Sequence, residues 1–155
     1  MAFGALSVKG RALRCLAQRE HSRTELERKL ARHVVDTDEA SAQTQIARAL
    51  DELAAAGLQS EVRTAESVLT SQGQRCGVRR LKQTLQHKGL DPALVIATLQ
   101  AARSTEVERA REVWRRRFGS PAADGAERAR QFRFMAGRGF EGDVIRRVVQ
   151  GADDD

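Results

Sequence analysis

Residues 85–99, LQHKGLDPALVIATL, and residues 135–149, MAGRGFEGDVIRRVV, coincide when the chain is shifted by fifty positions. Lys88, Gly89, Leu90 and Asp91 fall on Arg138, Gly139, Phe140 and Glu141, and Val95, Thr98 and Leu99 fall on Ile145, Val148 and Val149. Upstream, Leu85 falls on Met135. The shared pattern is a basic residue, a helix-ending glycine, an apolar plug, an acidic cap and a short apolar helix. A weaker copy lies earlier: Leu26 and Leu30 take the places of Leu81 and Leu85, and Ile46, Ala49 and Leu50 those of Val95, Thr98 and Leu99, with a longer loop over 35–40. The spacing predicts three tandem three-helix units, 1–57, 58–103 and 104–151, followed by an acidic tail, 152–155. A unit that cannot bury its apolar face alone stacks on its neighbours, so an elongated all-α array is the expected fold.

Helical period runs through the whole chain. Leu26, Leu30 and Val34 step by four, and Val62, Ala65, Val68 and Leu69, like Val107, Ala110, Val113, Trp114 and Phe118, step by threes and fours. Such spacing lays one apolar stripe along a helix of period 3.6, and no stretch alternates as a strand does. The punctuation agrees. Ser22 with Glu25 can close a capping box, Thr105 with Glu108 offers the same, and Asp91-Pro92 is a helix start. Gly57, Gly89, Gly119 and Gly139 each follow a stripe, where a left-handed backbone costs glycine little. Nine helices follow, at roughly 8–20, 22–34, 41–56, 60–74, 77–88, 91–102, 105–118, 125–138 and 142–150.

The chain has 155 residues, 41% hydrophobic and 31% charged, with two prolines and no tyrosine, as expected of a soluble folded protein. No apolar run approaches the ~20 residues of a spanning helix. The first ten residues lack the basic, apolar and cleavage regions of a secretory signal. Cys15 and Cys76 are neither clustered nor in CxxC spacing, which suits a reducing compartment, and the cytoplasm is the expected location. Net charge is +6, and arginine far outnumbers lysine. A surface of that sign attracts nucleic acid or an acidic protein face.

Three segments together resemble the RecX family of regulatory proteins. They are REHSRTEL at 19–26 with RKL at 28–30, CGVRRL at 76–81 with LQHKGL at 85–90, and FMAGRGF at 134–140 with VIRRV at 144–148. They stand in the family's order and spacing over about residues 8–150. One departure is that Gly57-Leu58 and the following residues to Ala65 lack the two aromatic rings usual there, and Glu61 replaces an aspartate. The resemblance implies a curved array of three-helix repeats. It also implies a protein that lies in the groove of a RecA-type recombinase filament on single-stranded DNA and restrains its ATP hydrolysis and strand exchange, modulating recombination and repair.

The residues themselves point to no catalysis, cofactor or metal. There is no phosphate-binding glycine loop, no dinucleotide fingerprint and no His-Glu-x-x-His. His21, His33 and His87 are isolated and read as surface or helix-end residues; Cys15 reads as core, and Cys76 as a lone thiol without a base. Carboxylate pairs such as Glu25 with Glu27 read as solvated helix faces.

The arginines carry the remaining signal. Residues 57–103 have a net charge of +4, and so does the last segment without its tail. Arg79, Arg80, Lys82 and Lys88 on the fifth helix, with Arg138, Arg146 and Arg147 in the last unit, are the candidate contacts for the recombinase filament or DNA. Of Arg115, Arg116 and Arg117, at least one is expected only to cover apolar surface. Trp114, Phe118 and Phe140 read as core anchors. Phe132 and Phe134, among arginines, come nearest to a base-stacking platform, and two such neighbours are not expected to share one core stripe. Phe3 is the one aromatic outside the last unit. The alternative reading is a free-standing helical module gripping DNA phosphates with the same arginines. No membrane contact is expected, and a monomer is.

Overall fold

The computed structural model describes residues 4–151; Phe3 and the acidic tail at 152–155 lie outside them. The described residues form nine helices and no strand: α1 (Val8–Gln18), α2 (Arg23–Ala31), α3 (Ala42–Ala55), α4 (Glu61–Gln72), α5 (Val78–His87), α6 (Pro92–Arg103), α7 (Glu106–Arg117), α8 (Gly125–Gly137) and α9 (Gly142–Gln150). The fold is all-α, with each helix where the apolar period and its punctuation place it. None of the helices is long and apolar enough to cross a membrane.

Local chemistry starts and stops these helices. The Ser22 hydroxyl accepts from the Glu25 amide at 3.1 Å, and the Glu25 carboxylate accepts from the Ser22 amide at 3.1 Å, closing the capping box of α2. Asp91 caps α6 ahead of Pro92. Thr105 is a correction: its hydroxyl makes no cap bond, because it donates to the Ala102 carbonyl and receives Arg109 Nε. The chain turns left-handed at Gly57, Gly89, Gly119 and Gly139.

The described residues fall into two compact units, one running to Thr64 and taking in Lys88–Leu90, the other comprising Ala65–His87 and the residues from Asp91 onward. In the first, Ala12, Leu26, Leu30, Ile46, Leu50 and Leu53 form the core among α1, α2 and α3. In the second, Ala110, Val113, Trp114, Met135, Phe140 and the buried residues of α9 form a core among α7, α8 and α9. Trp114 Nε1 donates to Gln131 Oε1 at 2.9 Å, which satisfies the indole as it is buried.

Two stripe readings need correction. Val62 is 54% exposed, although its spacing placed it with Ala65 and Val68. Phe132 and Phe134 both pack, half-buried, against the last core. The two rings diverge: Phe134 meets Phe118 edge-on at 5.4 Å between centroids, while Phe132 reaches toward Gly142.

Candidate functional site

The basic-residue–glycine turn that repeats in the sequence lies against the start of a helix at both of its occurrences. In the first unit, the Lys88 carbonyl accepts from the Ser22 hydroxyl at 2.6 Å, and Gly89 lies so close to Thr24 that a Cβ would fall 2.8 Å from the threonine Cβ. In the second unit, the Arg138 carbonyl accepts from the Gly77 amide at 2.9 Å and the Gly139 carbonyl from the Arg79 amide at 3.0 Å. There a Cβ on Gly139 would meet the Arg80 Cβ at 2.5 Å. Leu26 and Leu30, like Leu81 and Leu85, are buried below these starts.

The charges at the two places differ. Lys88 Nζ donates to Glu25 Oε1 at 2.9 Å, with both side chains mostly buried, and Arg19 donates to Glu25 Oε2 at 2.6 Å. Burial by itself would raise the Glu25 pKa, but the bonds from Arg19, Lys88 and the Ser22 amide hold it at about 2. With Leu26 matched to Leu81, Glu25 is matched to Arg80. The turn at Arg138 therefore meets a second cation instead of a carboxylate, and the Arg138 guanidinium stacks on Phe134, 5.3 Å from its ring centre.

Arg79, Arg80 and Lys82 are exposed on α5, opposite the buried Val78, Leu81 and Leu85, and none has an ion-pair partner among the described residues. Arg138 is held beside the start of α5 by the two backbone bonds. Arg146 and Arg147 are exposed on α9, away from its buried Val144, Ile145, Val148 and Val149, also without a carboxylate partner among the described residues. Lys88 stands apart from the other six candidates, in the first unit, with its charge neutralised by Glu25.

The backbone at the start of α5 is not an open anion site. Its first amides already donate: Gly77 to Arg138, Val78 to the buried Glu106 Oε1 at 3.2 Å, and Arg79 to Gly139. Arg109 completes the frame, donating to the carbonyls of Gly73 at 2.6 Å, Cys76 at 2.8 Å and Ala102 at 2.9 Å. Burial lowers the pKa of this guanidinium.

Glu106, Arg109 and Gln131 carried no sequence signal, because their partners Val78, Gly73, Cys76 and Trp114 lie 17 to 36 residues away. Glu25, expected on a solvated helix face, is a mostly buried junction instead. His21 sits at a helix start as expected but is fully buried, between the Arg19 carbonyl at 3.0 Å and Lys29 Nζ at 3.0 Å. Of the three consecutive arginines, Arg117 covers Phe118 and Phe134, and Arg116 pairs with Glu112. Among the described residues no group of His, Cys, Asp and Glu is placed to hold a metal ion.

The comparisons with known proteins agree with one another. Residues 104–149 match the model of the RecX third three-helix domain. The regulatory protein RecX of Leptothrix cholodnii is 51% identical over 148 residues, covering 96% of this chain and 90% of that protein. The chain belongs to the RecX family. The RecX of Ralstonia nicotianae is 50% identical over 151 residues, covering 96% and 89%. The crystal structure of RecX from Lactobacillus salivarius superposes with a TM-score of 0.75 at 20% identity over 96% of both chains, which shows the shared fold. The relatives are named as regulatory proteins, and the departure at Leu58–Ala65 leaves the RecX helices α3 and α4 intact.

Proposed function

We propose that this RecX-family chain binds a RecA-type recombinase filament on single-stranded DNA and restrains its ATPase and strand exchange. It acts by binding, without chemistry of its own. The observation that carries this reading is the contrast between the two glycine turns. In the first, Lys88 is paired with Glu25, whereas the second gathers Arg79, Arg80 and Arg138, none of which has an ion-pair partner among the described residues. Lys82 stands one turn further along α5, and Arg146 and Arg147 add charge from α9. Unpaired guanidiniums on one unit suit an acidic groove or a phosphate track.

The proposed organisation is three three-helix units, 1–57, 58–103 and 104–151, of which more than one is needed to bridge neighbouring recombinase subunits. The test is the DNA-dependent ATPase of a RecA-type recombinase titrated with this protein. Inhibition by the native chain, relieved by Arg79→Glu, Arg80→Glu and Lys82→Glu together, supports the proposal. Inhibition unchanged by that triple reversal removes α5 from the contact.

The same exposed arginines favour a second reading, a module that grips DNA alone. Each phosphate neutralised on duplex DNA contributes about −0.9 to the slope of log affinity against log salt. A steep slope on DNA, with no effect on the recombinase, selects that reading.

A further inference from the structure

Away from these arginines, the first unit carries a groove of about 440 Å³ between α1 and α2. Leu6, Cys15 and Leu30 give it apolar surface, and its charged lining, which includes Arg11, Arg14 and Arg32, is entirely basic. Leu6 is 45% exposed and Cys15 half-buried, so these two are accessible, whereas Leu30 is buried in the core. Arg11 and Arg14, three residues apart, share one face of α1, and neither they nor Arg32 has a carboxylate partner among the described residues. Lys29 in the same lining has its ammonium on His21 Nε2 at 3.0 Å.

The surrounding basic residues are spent. Lys9 pairs with Glu52 at 3.2 Å, Arg19 with Glu25 at 2.6 Å, and Arg23 with Asp51 at 2.7 Å and Glu27 at 3.1 Å. Within the first unit Arg48 on α3 is likewise exposed and without a carboxylate partner among the described residues, so free positive charge gathers at the groove but is not confined to it. A nucleic-acid strand needs successive cations and aromatic faces for its bases, and the lining offers no Phe, Trp or Tyr among the described residues, only the imidazole of His33. Forked guanidiniums around an aliphatic floor match carboxylates flanking a large apolar side chain. The volume lies in the usual range of ligand clefts, ~300–1,000 Å³.

We infer that the α1–α2 groove is a docking site for an acidic peptide segment of a partner protein, its apolar side chain seated against Leu6 and Cys15 between carboxylates held by Arg11, Arg14 and Arg32. This inference is independent of the α5 surface.

The test uses the full chain and a fluorescein-labelled peptide, EDLFED, followed by anisotropy. Controls are EDSSED, which lacks the anchor, KKLFKK, which reverses the charge, and a labelled oligothymidylate. Binding of EDLFED is expected to weaken about tenfold in EDSSED and in the Arg11→Glu, Arg14→Glu double variant, and to persist in Arg79→Glu, Arg80→Glu. On the native chain the peptide should also slow alkylation of Cys15, with the buried Cys76 as internal reference. That readout needs no variant. Equal binding of EDLFED and EDSSED, binding that survives the α1 reversal, or Cys15 protected by oligothymidylate and not by peptide overturns the inference.

Discussion

Glu25 Oε1 and Lys88 Nζ lie 2.9 Å apart although 63 residues separate them in the chain. The carboxylate also closes the capping box of α2 and holds Arg19, so one side chain joins a local helix start to a distant turn. In the second unit the corresponding turn meets Arg80. That substitution of a cation for an anion separates a structural junction from a charged surface.

Folding holds Glu25 at about 2, below its ordinary 4.5. The unfolded chain takes up this proton first as acid is added, so the stabilisation is complete above pH 4.5 and is lost as pH falls toward 2. The linkage is worth roughly 3 kcal/mol. Glu25→Gln should cost about that much at neutral pH and remove this part of the acid sensitivity. Urea unfolding of both chains checks it: their stabilities should converge as pH falls from about 5 to about 3. A constant difference would contradict the junction.

His21 behaves in the same sense in a higher window. Burial lowers its pKa from 6.5; the Arg19 carbonyl opposes this, while the charges of Arg19 and Lys29 add to the lowering. The folded imidazole stays neutral where the unfolded one gains a proton. Its contribution is complete above pH 6.5 and declines as pH drops below that value. A proton NMR titration should place the His21 midpoint below 6.5; a His21 midpoint above 6.5 would refute the buried neutral ring.

The glycines separate two kinds of cost. Gly57 has φ +73 with open space around it, so Gly57→Ala pays only for the left-handed backbone, ~1 kcal/mol. Gly77 needs no positive φ, but a Cβ there would fall 2.4 Å from the Gly139 carbonyl oxygen and the Phe140 backbone. Gly139 combines both, with φ +87 and Arg80 against it. Thermal unfolding should rank Gly57→Ala mildest, with Gly77→Ala and Gly139→Ala each costing about 2–4 kcal/mol. A Gly77→Ala protein as stable as Gly57→Ala would show that the turn does not seat there.

Lys88→Met and the α5 triple reversal should affect different properties. Lys88→Met leaves Glu25 short of a partner and should lower stability by about 2 kcal/mol while inhibition of recombinase ATPase by the folded protein is kept. Arg79→Glu, Arg80→Glu and Lys82→Glu should keep the helical circular dichroism and weaken inhibition at least about tenfold. The opposite pattern would return Lys88 to the contact surface and remove α5 from it.

Helix positions were legible because their causes are local. The Ser22–Glu25 box spans three residues, Asp91 caps the helix that follows it, and each glycine ends the helix before it. Thr105 shows the limit: its spacing permits a box, but its hydroxyl is taken by Ala102 and Arg109. The burial of His21 was hidden for a related reason, since a lone polar residue beside a helix start looks the same whether or not the chain folds back over it.

The sequence alone determined the all-helical class, the bounds of the helices to within about a turn, and the family resemblance, because apolar period and capping act over three or four residues. Only the tertiary structure decided which charges are free. Lys88 and Arg138 occupy matching places in the repeat, yet Lys88 is matched by Glu25 and Arg138 stands beside Arg80. Coulomb energy depends on distance in space, and residues 63 positions apart become neighbours only once the helices pack.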